Sequence, residues 1–456
     1  MIRSATSARR VALAVAVFSV VLFGQAGGAG AAAAPAPRDA LRLALRQVQA
    51  LAPQASANPG PAGTAAAALA RATVPGLWIN AREADAPPYG NDVITASTQA
   101  AGELAGVSAP SARSAIELIL AADRGLAEGV IAQAHGATAT QLATARRALS
   151  AGDRQAHAGT LSAAVASYGK AWQAAYRVLA RVVASEVTRV PSATLATAAE
   201  QALGGTRFGI AGPRIAQGLT PLTAGGKPEV FYAGSEACPF CGVQRWGMII
   251  ALSQFGTFSK LHLMQSVATT PPQVRTFTFF GSGYRSPYVS FVPVEVWSNV
   301  PKPPGLARLQ SLTHAQSALL HRFDPPFETP FIDVANRFIT DSSTVDPQLI
   351  AHKSWTQLAG ALTDPDNLAT QAIAGEAEVL TAEVCEATGG NPQSVCSSAV
   401  VQQYEAALPT LTGKGGSCPA PPSPGGPPPA RDAASSTPRA AARPDPIATV
   451  ARHCGV

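Results

Sequence analysis

The chain predicts an α/β protein in which a separate all-α region precedes a domain of mixed strands and helices. Three patterns in its 456 residues lead there. Apolar residues recur at three- and four-residue steps between Ala109 and Leu179. A short β-prone run at Val230 to Tyr232 passes through a tight turn into an apolar helix. Runs of β-branched and aromatic residues, divided by Gly and Pro, then follow to Phe338.

At the start, Arg3, Arg9 and Arg10 precede the apolar run Val11 to Phe23, and small residues continue to Ala34. Residues 1–34 therefore read as a secretory signal or an N-terminal anchor. The run is shorter than the roughly 20 apolar residues of a membrane span. Export to an extracytoplasmic, oxidising compartment follows, secreted or tethered to the outer face of the membrane. There the six cysteines can form disulfides. The formal charge of +6 sits at the two ends. The three leading arginines carry one half, and the tail from Gly413 carries the other. The body between is neutral, so no basic face is expected for nucleic acid.

Residues 35–106 are rich in Ala, Pro and Gly, with a helix expected at Arg38 to Leu51 and a linker at Ala55 to Gly63. Over 107–190, Ile116, Ile119, Leu120, Leu126, Val130 and Ile131 form one helical stripe. Leu142, Ala145 and Leu149 form a second, closed by Gly152-Asp153. Leu161, Val165, Tyr168, Trp172, Tyr176 and Leu179 form a third. Short turns between them predict a helical bundle or hairpin with its aromatics in the core. Residues 191–224 read as a linker, 225–412 as the mixed domain, and 413–456 as a disordered Pro/Ala-rich tail holding Cys418 and Cys454.

The chemistry centres on Cys238-Pro239-Phe240-Cys241 at the strand-to-helix junction. Pro239 suits a first helical turn. Cys238 then stands at the helix start, exposed, where unpaired N–H groups and the helix dipole stabilise a thiolate. Cys241, one turn on and shielded, can resolve a mixed disulfide. The expected roles are nucleophile for Cys238 and resolving thiol for Cys241. Half a zinc site or a structural disulfide are the competing readings of the same spacing. Glu236 opposes thiol ionisation through like charge.

Farther on, strands are expected at Leu261 to Val267, Thr276 to Phe280 and Tyr288 to Trp297, and a helix at Leu306 to Arg322. His314 and His321 lack a third ligand, so no metal is expected. Glu328 to Ile339 reads as a hairpin with Pro330 at its entry. Helices are expected at Pro347 to Leu362 and Leu368 to Thr388.

Four collinear stretches, GSEACPFCGVQRWGMIIALSQFGTF, TFTFFGSGYRSPYVSFVPVE, TPFIDVANRF and AEVCEATGGNPQSVC, resemble an uncharacterised prokaryotic thioredoxin-like family, domain of unknown function 929. The resemblance spans roughly residues 220–397. It implies a thioredoxin-like domain with inserted strands, Cys238 and Cys241 in the CxxC positions, Pro330 at a cis-proline, and Cys385 and Cys396 as a second, structural pair. In that frame Thr329 and Pro330 bind substrate, with the Thr329 backbone offered to a substrate strand beside Cys238. Ala237 departs from the thioredoxin pattern, which has Trp before the first cysteine. The expected function is an extracytoplasmic thiol–disulfide oxidoreductase without cofactor. It would act on thiols or disulfides of exported proteins and be recycled by an unidentified redox partner. The alternative is a thioredoxin-fold binding or scaffold protein whose CxxC is a static disulfide.

Overall fold

Alanine-rich sequence with apolar residues every three or four positions forms six helices in the first part of the chain: α1 (Pro37–Gln49), α2 (Gly60–Ala72), α3 (Gly90–Leu104), α4 (Pro110–Gln133), α5 (Ala139–His157) and α6 (Leu161–Val187). A two-stranded ribbon, β1 (Trp78–Asn80) and β2 (Glu83–Ala84), lies between α2 and α3. The computed structural model describes residues 34–51, 60–205, 210–266, 272–302, 305–411 and 418–419. The expected signal or anchor, most of the tail and Cys454 lie outside the described residues. Among those described, no helix is long and apolar enough to cross a membrane.

Three segments differ from expectation here. Gly60–Gly63, expected in a linker, opens α2. Gly152, expected to end a helix, lies inside α5. A Cβ there would stand 2.4 Å from Cε1 of Tyr168, so glycine serves the close approach of α6 rather than a stop. The expected linker at 191–224 contains α7 (Ser192–Gly204), β3 (Arg214–Ile215) and β4 (Thr223–Ala224).

Beyond it come β5 (Lys227–Ser235), α8 (Pro239–Ser253), β6 (Thr257–Ser259), β7 (His262–Gln265), β8 (Arg275–Thr278), β9 (Gly283–Arg285) and β10 (Ser290–Lys302). The chain continues through β11 (Gly305–Arg308), α9 (His314–Phe323), β12 (Glu328–Thr329), β13 (Phe331–Val334) and β14 (Phe338–Thr340). It ends in α10 (Trp355–Ala361), α11 (Leu368–Ala387), α12 (Gln393–Cys396), α13 (Ala399–Ala407) and β15 (Cys418–Pro419). The helix expected over Leu306 to Arg322 thus forms only from His314, with Leu306–Arg308 belonging to β11. Thr313 starts the true helix with a capping box closed by Gln316.

The principal sheet is mixed, ordered β11-β10-β5-β13-β14-β3 with β4 also on β5. β10 runs parallel to β5, and β13 runs antiparallel to it. β5 is central and buried on both faces, which is why Val230 to Ala233 are uninterruptedly apolar. The helical region is not separate from this sheet, because residues from Ala36 onward form one compact unit. Tyr168, Trp172 and Tyr176 are buried in the common core, and Tyr176 meets Trp355 edge to face at 6.3 Å. Polar contacts tie the halves as well. Arg275 pairs with Glu83 at 2.6 Å, and Asn299 donates to Asp85 at 2.9 Å.

Cys385, in the last turn of α11, is bonded to Cys396 at the end of α12, with Cα atoms 5.5 Å apart. Residues 418–419 correct the expectation of disorder throughout the tail. They pair antiparallel with β12, Thr329 opposite Cys418 and Glu328 opposite Pro419.

Candidate active site

The site is assembled where β5 ends. The β5 backbone stops at Ser235, and Cys238 takes an extended conformation as the N-cap of α8, with Pro239 in the first turn. The Cys238 Sγ accepts a hydrogen bond from the Cys241 N–H at 3.4 Å. That is the capping geometry a side-chain oxygen ordinarily fills, with sulfur in its place. The Cys241 Sγ accepts from the Ser235 N–H at 3.5 Å. Antiparallel register does the rest. Phe331 stands opposite Ala233, so the start of β13 lies beside the end of β5. Cys238 Sγ therefore lies 3.5 Å from the carbonyl oxygen of Thr329 although 91 positions separate them. The Thr329-Pro330 bond is cis, as the resemblance implied.

One expectation is overturned at this point. Cys238 was expected to be exposed, yet it is only 2% accessible and Cys241 is fully enclosed. The Thr329 backbone lies against the Cys238 sulfur, and Phe240 packs with both cysteines. Burial pushes the Cys241 thiol well above its ordinary range, and its hydrogen bond with Cys238 adds to the shift.

Several residues around the pair escaped the sequence analysis. Arg245, on α8, is wholly buried and forms a bidentate pair with Glu295 of β10, at 2.9 and 2.7 Å. The same guanidinium donates to the Ser235 carbonyl at 2.9 Å, which pins the turn ahead of Cys238. A lone charge in an apolar helix and another between valines in a strand were the available signals. Tyr89, 147 positions before Glu236, donates its hydroxyl to that carboxyl. No sequence signal announces such a contact. Burial, with the Glu295 charge nearby, raises Glu236 to about 7, so near neutral pH it repels a thiolate less than a fully ionised carboxylate. Behind it, burial also raises Asp85 to about 7.

Among the described residues, no group of three or more His, Cys, Asp or Glu could hold a metal ion. His314 and His321 lie on α9, away from the cysteine pair in sequence and element.

Residues 216–301 match a domain of unknown function (DUF929). The DUF929 segment carries β5, both cysteines, Arg245, Glu295 and most of β10. It stops short of Thr329, Pro330 and the Cys385–Cys396 disulfide, which belong to the wider resemblance. No curated protein and no solved structure matches the chain.

Proposed function

We propose that the protein is a thiol–disulfide oxidoreductase with a thioredoxin-like domain, in which Cys238 attacks and Cys241 resolves. The observation that carries this reading is the sulfur of a helix-capping cysteine 3.5 Å from the Thr329 carbonyl, next to a cis-proline. The strand order β10-β5-β13-β14, with only β10 parallel to β5, supports the thioredoxin-like assignment. A substrate disulfide held along Thr329 would present one sulfur to Cys238. The Cys238 thiolate would displace the other substrate sulfur, forming a mixed disulfide. Cys241 would then attack Cys238 and release the second substrate thiol, leaving the Cys238–Cys241 disulfide. A peptide strand, not a cofactor, is what a backbone edge beside a cis-proline would recognise. With residues 1–34 read as an export signal or anchor, the substrates are thiols or disulfides of exported proteins outside the cytoplasm. A second redox protein would return the pair to its starting state.

The burial of both cysteines favours a second reading, a static disulfide in a thioredoxin-fold scaffold. Redox titration of the purified chain against glutathione separates the two. A catalytic pair is expected well above about −300 mV, and a value below that would identify a structural bridge.

A further inference from the structure

A cavity of about 250 Å³ opens in the helical region, lined by the β1–β2 ribbon, α4 and α6. Packed interiors hold few voids larger than a water, and an apolar cavity of about 150 Å³ is enough to admit benzene. Leu126 and Val130 of α4 and Trp172 of α6 form its apolar wall. Tyr176 fixes that wall. Its ring meets Trp172 edge to face at 4.7 Å, and its hydroxyl donates to the Ala84 carbonyl at 3.1 Å. Gly129 of α4 also lines the space, and a Cβ there would meet nothing within 4 Å.

Three polar groups on the lining are uncommitted. Trp172 is fully enclosed, yet its indole N–H has no acceptor among the described residues. A buried indole ordinarily finds one. Gln133 gives its amide N–H to Glu83 at 2.8 Å, while its amide oxygen is buried and has no donor among the described residues. Arg82, exposed at the ribbon turn, forms no ion pair among the described residues. The neighbouring acid is already engaged, because Glu83 pairs with Arg275 at 2.6 Å. The unmet charge on the lining is therefore positive, accompanied by one buried donor and one buried acceptor.

We propose that this cavity binds a small hydroxylated aromatic carboxylate. One ring suits the volume and packs on Trp172, Leu126 and Val130. The carboxylate answers the Arg82 guanidinium. A hydroxyl both donates and accepts, so it matches the indole N–H and the Gln133 oxygen. The lining contains neither cysteine of the CPFC turn, so the site stands whether or not Cys238 and Cys241 exchange disulfides.

The test uses the full chain with ¹⁵N-labelled tryptophan and 4-hydroxybenzoate as the probe. Trp172→Phe assigns the Trp172 indole N–H resonance by its loss. In wild type that resonance is expected to shift saturably, more than those of Trp246 and Trp297. Half-saturation is expected below about 1 mM, the scale of a ligand of about ten non-hydrogen atoms. Benzoate, which lacks the hydroxyl, is expected to bind about tenfold more weakly. Tyramine, which carries an ammonium in place of the carboxylate, is expected to leave the resonance unmoved. Arg82→Gln has no ion pair to lose, so it is expected to melt like wild type and to weaken 4-hydroxybenzoate by about tenfold. A Trp172 resonance that stays in place, or drifts without saturating, overturns the site. Tyramine binding as well as 4-hydroxybenzoate, or undiminished binding by Arg82→Gln, overturns the anionic ligand class.

Discussion

Arg245 and Glu295 show how one buried pair sets the geometry of the turn ahead of Cys238. Both side chains are fully enclosed, and the guanidinium spends one further donor on the Ser235 carbonyl. Two charges out of water are tolerated because each neutralises the other, with the Phe279 N–H adding a contact to Glu295 at 3.3 Å. Removing one partner leaves an uncompensated buried charge. Glu295→Gln is therefore expected to lower stability by about 3–5 kcal/mol in urea melts. Arg245→Met/Glu295→Leu, which removes both charges, is expected to recover most of that loss. If the single variant melts like wild type, the pair is not what holds the turn.

The element that organises the site is α8, and its tight seating depends on a missing side chain. A Cβ on Gly242 would stand 2.4 Å from Cγ2 of Val274, which is itself fully buried ahead of β8. Thr276 of β8 fastens the same turn, its hydroxyl donating to the Gly242 carbonyl at 2.6 Å. Gly242 lies one residue past Cys241, so displacement of α8 here moves the Cys241 thiol. Gly242→Ala is expected to cost about 1–3 kcal/mol by overpacking and to slow disulfide exchange. Val274→Ala in the same chain would open the space and restore both. Failure of that rescue, measured by melting and by exchange rate, would show that the helix is seated by other contacts. At the far end of the domain, the Cys385–Cys396 disulfide ties α11 to α12 across a separation of 11 residues. Closing a loop of that size restricts the unfolded chain by about 3 kcal/mol in the entropic account.

Across the whole molecule, the most widespread electrostatic feature is a set of carboxyls held neutral by burial. Asp85, Glu236, Asp333, Glu376 and Glu378 are each raised to about 7, and Asp123 to about 8. Desolvation is the leading cause in every case. These groups ionise near 4 in the unfolded chain. Between about pH 4 and pH 7–8 the native state therefore binds more protons than the unfolded state. Stability is then greatest at the acid side of this window and falls as pH rises through the folded values. Thermal melts of the full chain are expected to show a midpoint lower at pH 8 than at pH 5.5 by about 3 °C or more. A midpoint that is flat or rises over this range would mean the carboxyls are ionised in the fold.

What the sequence determined on its own was local. A β-prone run, a CPFC turn with proline at its second position and an apolar helix follow one another within thirty residues. These elements can be read because helix starts, strand runs and periodicities depend on near neighbours. The main helical stripes between Ala109 and Leu179 were legible for the same reason. Where local signals misled, packing decided: Gly152 reads as a stop, yet it makes room for Tyr168 inside a continuous helix. Tertiary structure alone brought Thr329 to Cys238, Tyr89 to Glu236 and the backbone of Cys418 to Thr329. It also buried Cys238, which the sequence placed at an open helix end, and joined the helical region to the sheet. Contacts between residues 91 or 147 positions apart leave no period and no spacing in the chain. They arise from strand register and from the faces that apolar elements bury against one another.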